Sequence, residues 1–261
     1  MAPAQAIELK QQATNDGAIL FDNGLFDRGP VAQAEFAADW FEPDYWRARS
    51  AAHDDAGGRG GVAIVQSPYG AWVLRHYRRG GMVARVMGDR YLWSGAERTR
   101  GFSELRLLAE LNRLRLDVPR PVAARYRRSG AHYRADLITQ YIAGAQTLAQ
   151  RLREQGIDAA SAGCVGAAIA RLHNVGGYHA DLNAHNVLLD AQRVWLIDFD
   201  RGELRTPQRA WQLENLARLR RSLIKLGAAQ DGESTFDRLI WEPLMAAYEH
   251  ALAAPARTAR A

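Results

Sequence analysis

Hydrophobic and polar positions along the chain change their period once, near its middle. From Val62 to Gln66 and again from Ala71 to Tyr77, apolar residues form two short β-rich runs around the turn Ser67-Pro68-Tyr69-Gly70. Such runs flanking a Pro/Gly turn predict a β-hairpin. Phe102, Leu105, Leu108, Ala109 and Leu111 then fall at helical spacing and predict a helix over 99–115. The stretches 118–128 and 133–142 predict two further strands. Beyond Gly144 the pattern is helical over 147–155, 160–173 and 209–226. Only the short apolar runs Val187–Leu189 and Val194–Ile197 interrupt it, and they predict a second hairpin.

The order is therefore β-rich first and helix-rich second, with a junction near Tyr141, which predicts an α+β protein of two lobes. Residues 1–16 read as an N-terminal extension, 17–140 as a small antiparallel lobe, 141–252 as a helical lobe and 253–261 as a short basic tail. Within the first lobe, residues 17–54 carry scattered aromatics (Phe21, Phe26, Phe36, Trp40, Phe41, Tyr45, Trp46) around Pro30 and Pro43. They read as an extension with one short helix near Val31 to Asp39.

A chain of 261 residues with 48% hydrophobic and 24% charged residues can bury a real core, which argues against disorder. No stretch reaches the roughly 18 to 20 apolar residues of a membrane span. The N-terminus, MAPAQAIELKQQATNDG, lacks the charged and apolar regions of a secretory signal, so a cytoplasmic protein is expected. The single cysteine, Cys164, excludes an intrachain disulfide and a cysteine-built zinc site. Lys and Arg exceed Asp and Glu by 34 to 29, yet lysine occurs only at Lys10 and Lys225. Planar guanidinium groups suit phosphate-bearing partners, whether nucleic acid or an anionic membrane surface.

The chemistry concentrates in His179-Ala180-Asp181-Leu182-Asn183-Ala184-His185-Asn186, followed after an apolar run by Asp198-Phe199-Asp200. Polar residues occupy one loop, a strand follows, a tight turn reverses it, and a second strand ends on a carboxylate. An alternative metal site from His173, His179 and His185 is disfavoured, because a spacing of six suits neither a helix face nor a strand. Upstream, Gly57-Gly58-Arg59-Gly60-Gly61 stands at the entrance to a strand, where a glycine-rich turn admits phosphates to backbone N–H groups.

An H-x-D-L-x-x-x-N segment followed by a D-F-x turn resembles the catalytic and metal-binding loops of the protein-kinase-like fold. The segments Val73-Leu74-Arg75-His76-Tyr77-Arg78-Arg79-Gly80-Gly81, Tyr91-Leu92-Trp93, Val118-Pro119-Arg120-Pro121 and the helix bearing Asn215 to Leu223 narrow the resemblance to the bacterial lipopolysaccharide-core kinases. It runs from about Gly17 to Tyr248.

The resemblance implies the two-lobed protein-kinase-like fold with ATP between the lobes. Asp181 is then the base for the attacking hydroxyl, and Asn186 and Asp198 are ligands of Mg²⁺ on the nucleotide phosphates. Arg75 takes the phosphate-anchoring position that a lysine holds in ordinary protein kinases. Its expected carboxylate partner is Glu104, with Glu97 as the rival. Gly58, Gly60 and Gly61 would cradle phosphates, and the backbone at Gln140 and Ile142 would meet adenine. The implied reaction is phosphorylation of the 4-hydroxyl of 3-deoxy-D-manno-octulosonic acid (Kdo) on lipid IVA, at the cytoplasmic face of the inner membrane. Arg78, Arg79 and Arg201 are the candidates for gripping this anionic glycolipid. A heptose kinase of the same group, or an aminoglycoside-phosphotransferase-like enzyme, would use the same loops. An inactive arginine-rich nucleic-acid binder on a kinase scaffold is the alternative from another class, and the three intact polar residues argue against it.

Overall fold

In the computed structural model, which describes residues 6–27, 36–49, 61–78 and 88–254, the chain divides into two units. Met1–Arg113 with Pro119–Tyr141 forms the first, and Leu114–Val118 with Ile142–Ala261 the second.

The first unit is built on strands β1 (Leu9–Thr14), β2 (Gly17–Asp22), β3 (Val62–Ser67), β4 (Gly70–His76), β5 (Tyr91–Leu92), β6 (Pro121–Ser129) and β7 (His132–Gln140). Among the described residues they form one antiparallel sheet in the order β1-β2-β6-β7-β4-β3, with β5 added beside β7. Its helices are α1 (Asn23–Asp27), α2 (Pro43–Arg47) and α3 (Arg100–Arg113), with a 3-10 turn at Ala38–Phe41. The hairpin β3–β4 and the pair β6–β7 lie where the hydrophobic pattern predicts them.

Two expectations for the N-terminal part are corrected. Residues 9–22 are not an extension but two strands, and β2 pairs with β6 across more than a hundred residues. Ile19 and Phe21 face one apolar cluster, while Ala18 and Leu20 are buried on the other side. A strand buried on both faces shows a continuous apolar run instead of an alternation, so it lacks the local β signature. The helix expected near Val31 to Asp39 falls partly on residues outside the described ones; Ala38–Phe41 is a 3-10 turn and α2 follows it. The scattered aromatics have a common destination. Phe36 and Trp40 lie 4.9 Å apart and Trp46 and Trp72 5.5 Å apart, both edge-to-face, in a cluster that also holds Phe21 and Phe26.

Within this sheet Asp136 faces Arg125 on one side and His76 on the other. Arg125 stands opposite Asp136 on β6 and β7 and donates to it at 2.9 Å. Asp136 also meets His76 Nδ1 at 2.6 Å, while His76 Nε2 meets Asp89 at 2.8 Å. Burial pushes the Asp136 carboxyl up, but His76 and Arg125 more than offset this and hold it below the usual range. The Asp136 hydrogen bond in turn raises the His76 pKa against the opposing effect of burial. Helix α3 lays Phe102, Leu105, Leu108 and Leu111 in the interior. It approaches so closely that a Cβ at Gly101 would stand 2.9 Å from the Asp136 carbonyl oxygen.

The second unit contains strands β8 (Gln146–Thr147), β9 (Gly177–Tyr178), β10 (Val187–Leu189), β11 (Val194–Leu196) and β12 (Glu203–Leu204). Its helices are α4 (Leu148–Glu154), α5 (Ala159–Asn174), α6 (Arg209–Lys225), α7 (Glu233–Phe236) and α8 (Glu242–Ala253), with a π-helical turn at Asp237–Trp241. Thr147 and Gln150 close a capping box at the start of α4, and Asp158 caps α5 through the Ser161 N–H at 2.7 Å. Among the described residues no helix is long and apolar enough to cross a membrane.

Helices α5 and α8 meet at their backbones. A Cβ at Gly166 would lie 2.0 Å from the Leu244 carbonyl oxygen, whereas one at Gly163 would meet the Ala247 methyl at an ordinary 3.5 Å. We predict that Gly166→Ala destabilises the protein by about 3 kcal/mol or more through overpacking, while Gly163→Ala is tolerated. Urea unfolding midpoints of the two variants check this; equal midpoints refute it.

Candidate active site

The loop from His179 to Asn186 and the turn from Asp198 to Arg201 are tied together by one side chain. His179 is fully buried. Its Nδ1 accepts the Asp181 backbone N–H at 3.2 Å, and its Nε2 meets the Ile197 carbonyl at 2.9 Å. Only an imidazole with its hydrogen on Nε2 and a lone pair on Nδ1 satisfies both. Burial lowers the His179 pKa despite the Ile197 carbonyl and the nearby Asp198 and Asp181 carboxylates, so the ring is neutral. Phe199 packs its ring 4.7 Å from the imidazole. The Ile197 N–H donates to the Asn186 carbonyl at 3.0 Å, a second tie between the same segments.

These bonds set the three polar residues singled out by the sequence. Asn186 is buried, and its Nδ2 donates to the Asp181 carbonyl at 2.9 Å, which leaves its amide oxygen directed elsewhere. Asp181 is exposed, and Asn183 Nδ2 donates to its Oδ2 at 3.1 Å. Asp198 has φ +63°, a left-handed conformation that an aspartate adopts more readily than most residues. Arg201 follows in the same turn, exposed and at φ +60°.

Three supporting residues carry no recognisable role in the sequence. Asn183 is one. The others lie on α6, seven residues and so about two helical turns apart on one face. Asn215 Oδ1 accepts the His179 N–H at 3.2 Å, and Ser222 Oγ accepts the Ala184 N–H at 3.1 Å. Their sequence signals are that spacing of seven and their place in the Asn215 to Leu223 segment that carries the family resemblance.

In the first unit, Arg75 on β4 pairs with Glu104 on α3. Tyr77 completes the group: its hydroxyl donates to Glu104 at 2.6 Å and accepts from Arg75 at 3.0 Å. The rival Glu97 is engaged by Arg106 through two bonds, one of 2.9 Å. Gly61 has φ +96°, and its carbonyl accepts the His76 N–H at 2.9 Å. A Cβ at Gly61 would stand 3.0 Å from Nε of Arg78, which is exposed. Gly58, Gly60 and Arg79 lie outside the described residues. Gln140 ends β7, its N–H bonded to the Arg120 carbonyl at 2.9 Å, and Ile142 opens the second unit.

The donor set of the second unit fits a hard divalent ion. The Asn186 amide oxygen and the Asp198 carboxylate are hard oxygen donors of the kind such an ion takes, on segments joined by the Ile197–Asn186 bond. Among the described residues no group of three His, Cys, Asp or Glu could hold an ion. His173 and His179 are both committed to hydrogen bonds inside the unit.

His173 supports the same frame. Its Nδ1 meets the Tyr248 hydroxyl at 2.8 Å and its Nε2 lies 3.4 Å from Asn215 Oδ1. Burial is the main reason its pKa falls to about 4, and burial pushes the Tyr248 hydroxyl up to about 12. A histidine whose folded pKa is depressed contributes stability that is present above the unfolded value and lost as pH falls. We predict a loss on the order of 3 kcal/mol from this residue between pH 6.5 and about 4. Unfolding measured across that range should be less pH-dependent in His173→Gln than in the parent; parallel curves refute the assignment.

Residues 43–248 match the model of the lipopolysaccharide kinase (Kdo/WaaP) family. A 3-deoxy-D-manno-octulosonic acid kinase of Stenotrophomonas maltophilia is 49% identical over 203 residues, covering 77% of this chain and 80% of its own. Proteins of the same name are 49% identical over 219 residues in Xanthomonas campestris pv. campestris (82% and 86% covered) and 52% over 205 in Xanthomonas axonopodis pv. citri (77% and 80%). A solved structure of WaaP in complex with acyl carrier protein covers 77% of this chain and 78% of its own, at TM-score 0.48 and 17% identity. The chain belongs to the lipopolysaccharide kinase (Kdo/WaaP) family.

Proposed function

We propose that the protein transfers the γ-phosphoryl group of ATP to the 4-hydroxyl of Kdo on lipid IVA, at the cytoplasmic face of the inner membrane. Use of ATP follows from membership of a kinase family, and the relatives named above favour Kdo over heptose or an aminoglycoside as acceptor. The observation that carries the reading is the neutral His179 bridge, which ties the segment of Asp181 and Asn186 to that of Asp198.

In this mechanism Asp181 accepts the proton of the attacking hydroxyl as the new O–P bond forms and the bond to the leaving ADP oxygen breaks. Asn183 orients the carboxylate by holding Oδ2. Asn186 and Asp198 would hold Mg²⁺, which when bound neutralises charge on the phosphates. Arg75, steadied by Glu104 and Tyr77, would grip phosphate oxygens in place of a lysine, with two donors where an ammonium offers a point charge. The glycine turn around Gly58, Gly60 and Gly61 would approach the phosphates, and the backbone of Gln140 and Ile142 the adenine. Arg78, Arg79 and Arg201 are assigned to the acceptor's anionic groups. Rate enhancement would come from positioning and charge compensation.

Offered Kdo-lipid IVA, heptosylated core and kanamycin side by side with γ-labelled ATP, the protein should label only the first. Label entering either of the others instead removes Kdo as acceptor. Asp181→Ala should lower turnover by about 10²- to 10⁴-fold while nucleotide affinity persists; full turnover takes the base role from this residue. Asp198→Ala should weaken ATP binding only when Mg²⁺ is present, measured by calorimetry with and without the metal, and unchanged affinity in both rejects it as a ligand.

A further inference from the structure

Away from the residues assigned so far, one end of the first unit sets like charges opposite each other on neighbouring strands. Along one face of β6 and β7 the facing residues run Arg125 opposite Asp136, then Arg127 opposite Arg134, then Ser129 opposite His132. The first pair is complementary. The second sets two cations directly across the ladder, which is destabilising unless an anion lies nearby. Arg134 is drawn to Asp89 at 2.8 Å. Arg127 has no such relief: its Nε is buried and makes no hydrogen bond. A buried donor without an acceptor is costly, and it marks a place where a ligand can supply one.

A cavity of about 160 Å³ opens beside it, whose lining includes Arg90, Arg127, Arg128, His132 and Arg134 against the single carboxylate of Asp16. An adjoining cavity shares Asp16 and Arg128 and adds Trp93 and Tyr126. Arg128 lies over the Trp93 ring at 4.7 Å. Next to Trp93, Leu92 is 63% exposed on β5, directly opposite His132. Guanidinium groups suit a phosphate oxyanion, whether free or part of a lipid. A free phosphate would use the arginines but gain nothing from Leu92 and Trp93. A lipid phosphate at a bilayer surface uses both, since basic, aromatic and exposed apolar side chains together match the interfacial region.

We propose that this end of the first unit, centred on Arg127, binds the phosphate groups of anionic lipids and docks the protein on a negatively charged membrane surface. The proposal extends the membrane-side placement given under the proposed function. Its binding measurements need no acceptor sugar, so either idea can fail alone.

The test is co-sedimentation of the full chain with vesicles of phosphatidylcholine alone or mixed with phosphatidylglycerol. Binding is expected to the mixed vesicles only, and to disappear at high salt as the surface charges are screened. Arg127→Gln should weaken it about fivefold, and adding Arg90→Gln about fivefold more. Both variants should phosphorylate a detergent-dispersed acceptor at the parent's rate, which separates docking from chemistry. If Arg127→Gln lowers the melting temperature, Arg90→Gln alone carries the test, since Arg90 is exposed. Equal binding to neutral vesicles, or unchanged binding by the variants, overturns the proposal. Inorganic phosphate titrated by calorimetry forms the second arm. Saturable binding that Arg127→Gln abolishes, with no vesicle binding, identifies a soluble-anion site and equally overturns the membrane assignment.

Discussion

A single uncharged imidazole is the joint on which the second unit's polar residues turn. Buried among Phe199 and the loop backbone, His179 sits where a positive charge is strongly disfavoured. Neutrality gives it one donor and one acceptor, and the loops supply one of each in return: the Asp181 N–H and the Ile197 carbonyl. A proton on Nδ1 would face that N–H with another donor and break the first bond. The geometry around Asp181 and Asp198 thus depends on the low dielectric that keeps His179 neutral, and α6 provides the wall. Its Asn215 and Ser222 fix backbone N–H groups five residues apart, so the loop inherits the stiffness of a helix.

The first unit solves the opposite problem with the same residue type. His76 stands between Asp136 and Asp89, and hydrogen bonding to those carboxylates outweighs burial and favours the charged ring. The partners decide: acceptors on both nitrogens stabilise imidazolium, whereas a donor on one nitrogen requires the neutral form. Stability contributed by His76 is present at low pH and fades as pH rises through its raised folded value. That from His173 and His179 runs the other way. Two groups of histidines of opposite sense give a stability maximum between their titration ranges.

What the sequence disclosed was what local pattern can encode. The hairpin at 62–76, helix α3, the β6–β7 pair and the loop motif from His179 to Asn186 each rest on residues within a few positions of one another. The strands of residues 9–22 escaped because β2 is buried on both faces and finds β6 only after more than a hundred residues. Helix α8 escaped as well, although its packing on α5 is close enough to demand Gly166. The choice between Glu97 and Glu104 could not be made from spacing, since both lie near the start of α3. Competition made it: Arg106 takes Glu97, while Tyr77 and Arg75 converge on Glu104. Asn215 and Ser222 were visible as letters in a helix, but their partners are 36 and 38 residues away.

The strained backbone at Asp198 shows why a turn of this kind needs support on both sides. Holding a residue other than glycine at positive φ costs about 1 kcal/mol, less for aspartate than for a branched side chain. An isolated turn would relax out of that conformation. Here the preceding residue is pinned by two bonds, Ile197 N–H to the Asn186 carbonyl and Ile197 carbonyl to His179. The following residues are closed by the Gly202 N–H on the Phe199 carbonyl at 2.7 Å. With Phe199 buried against His179, the chain on either side of Asp198 is over-determined and the strain is retained. The carboxylate is then aimed by a backbone held on both sides of it.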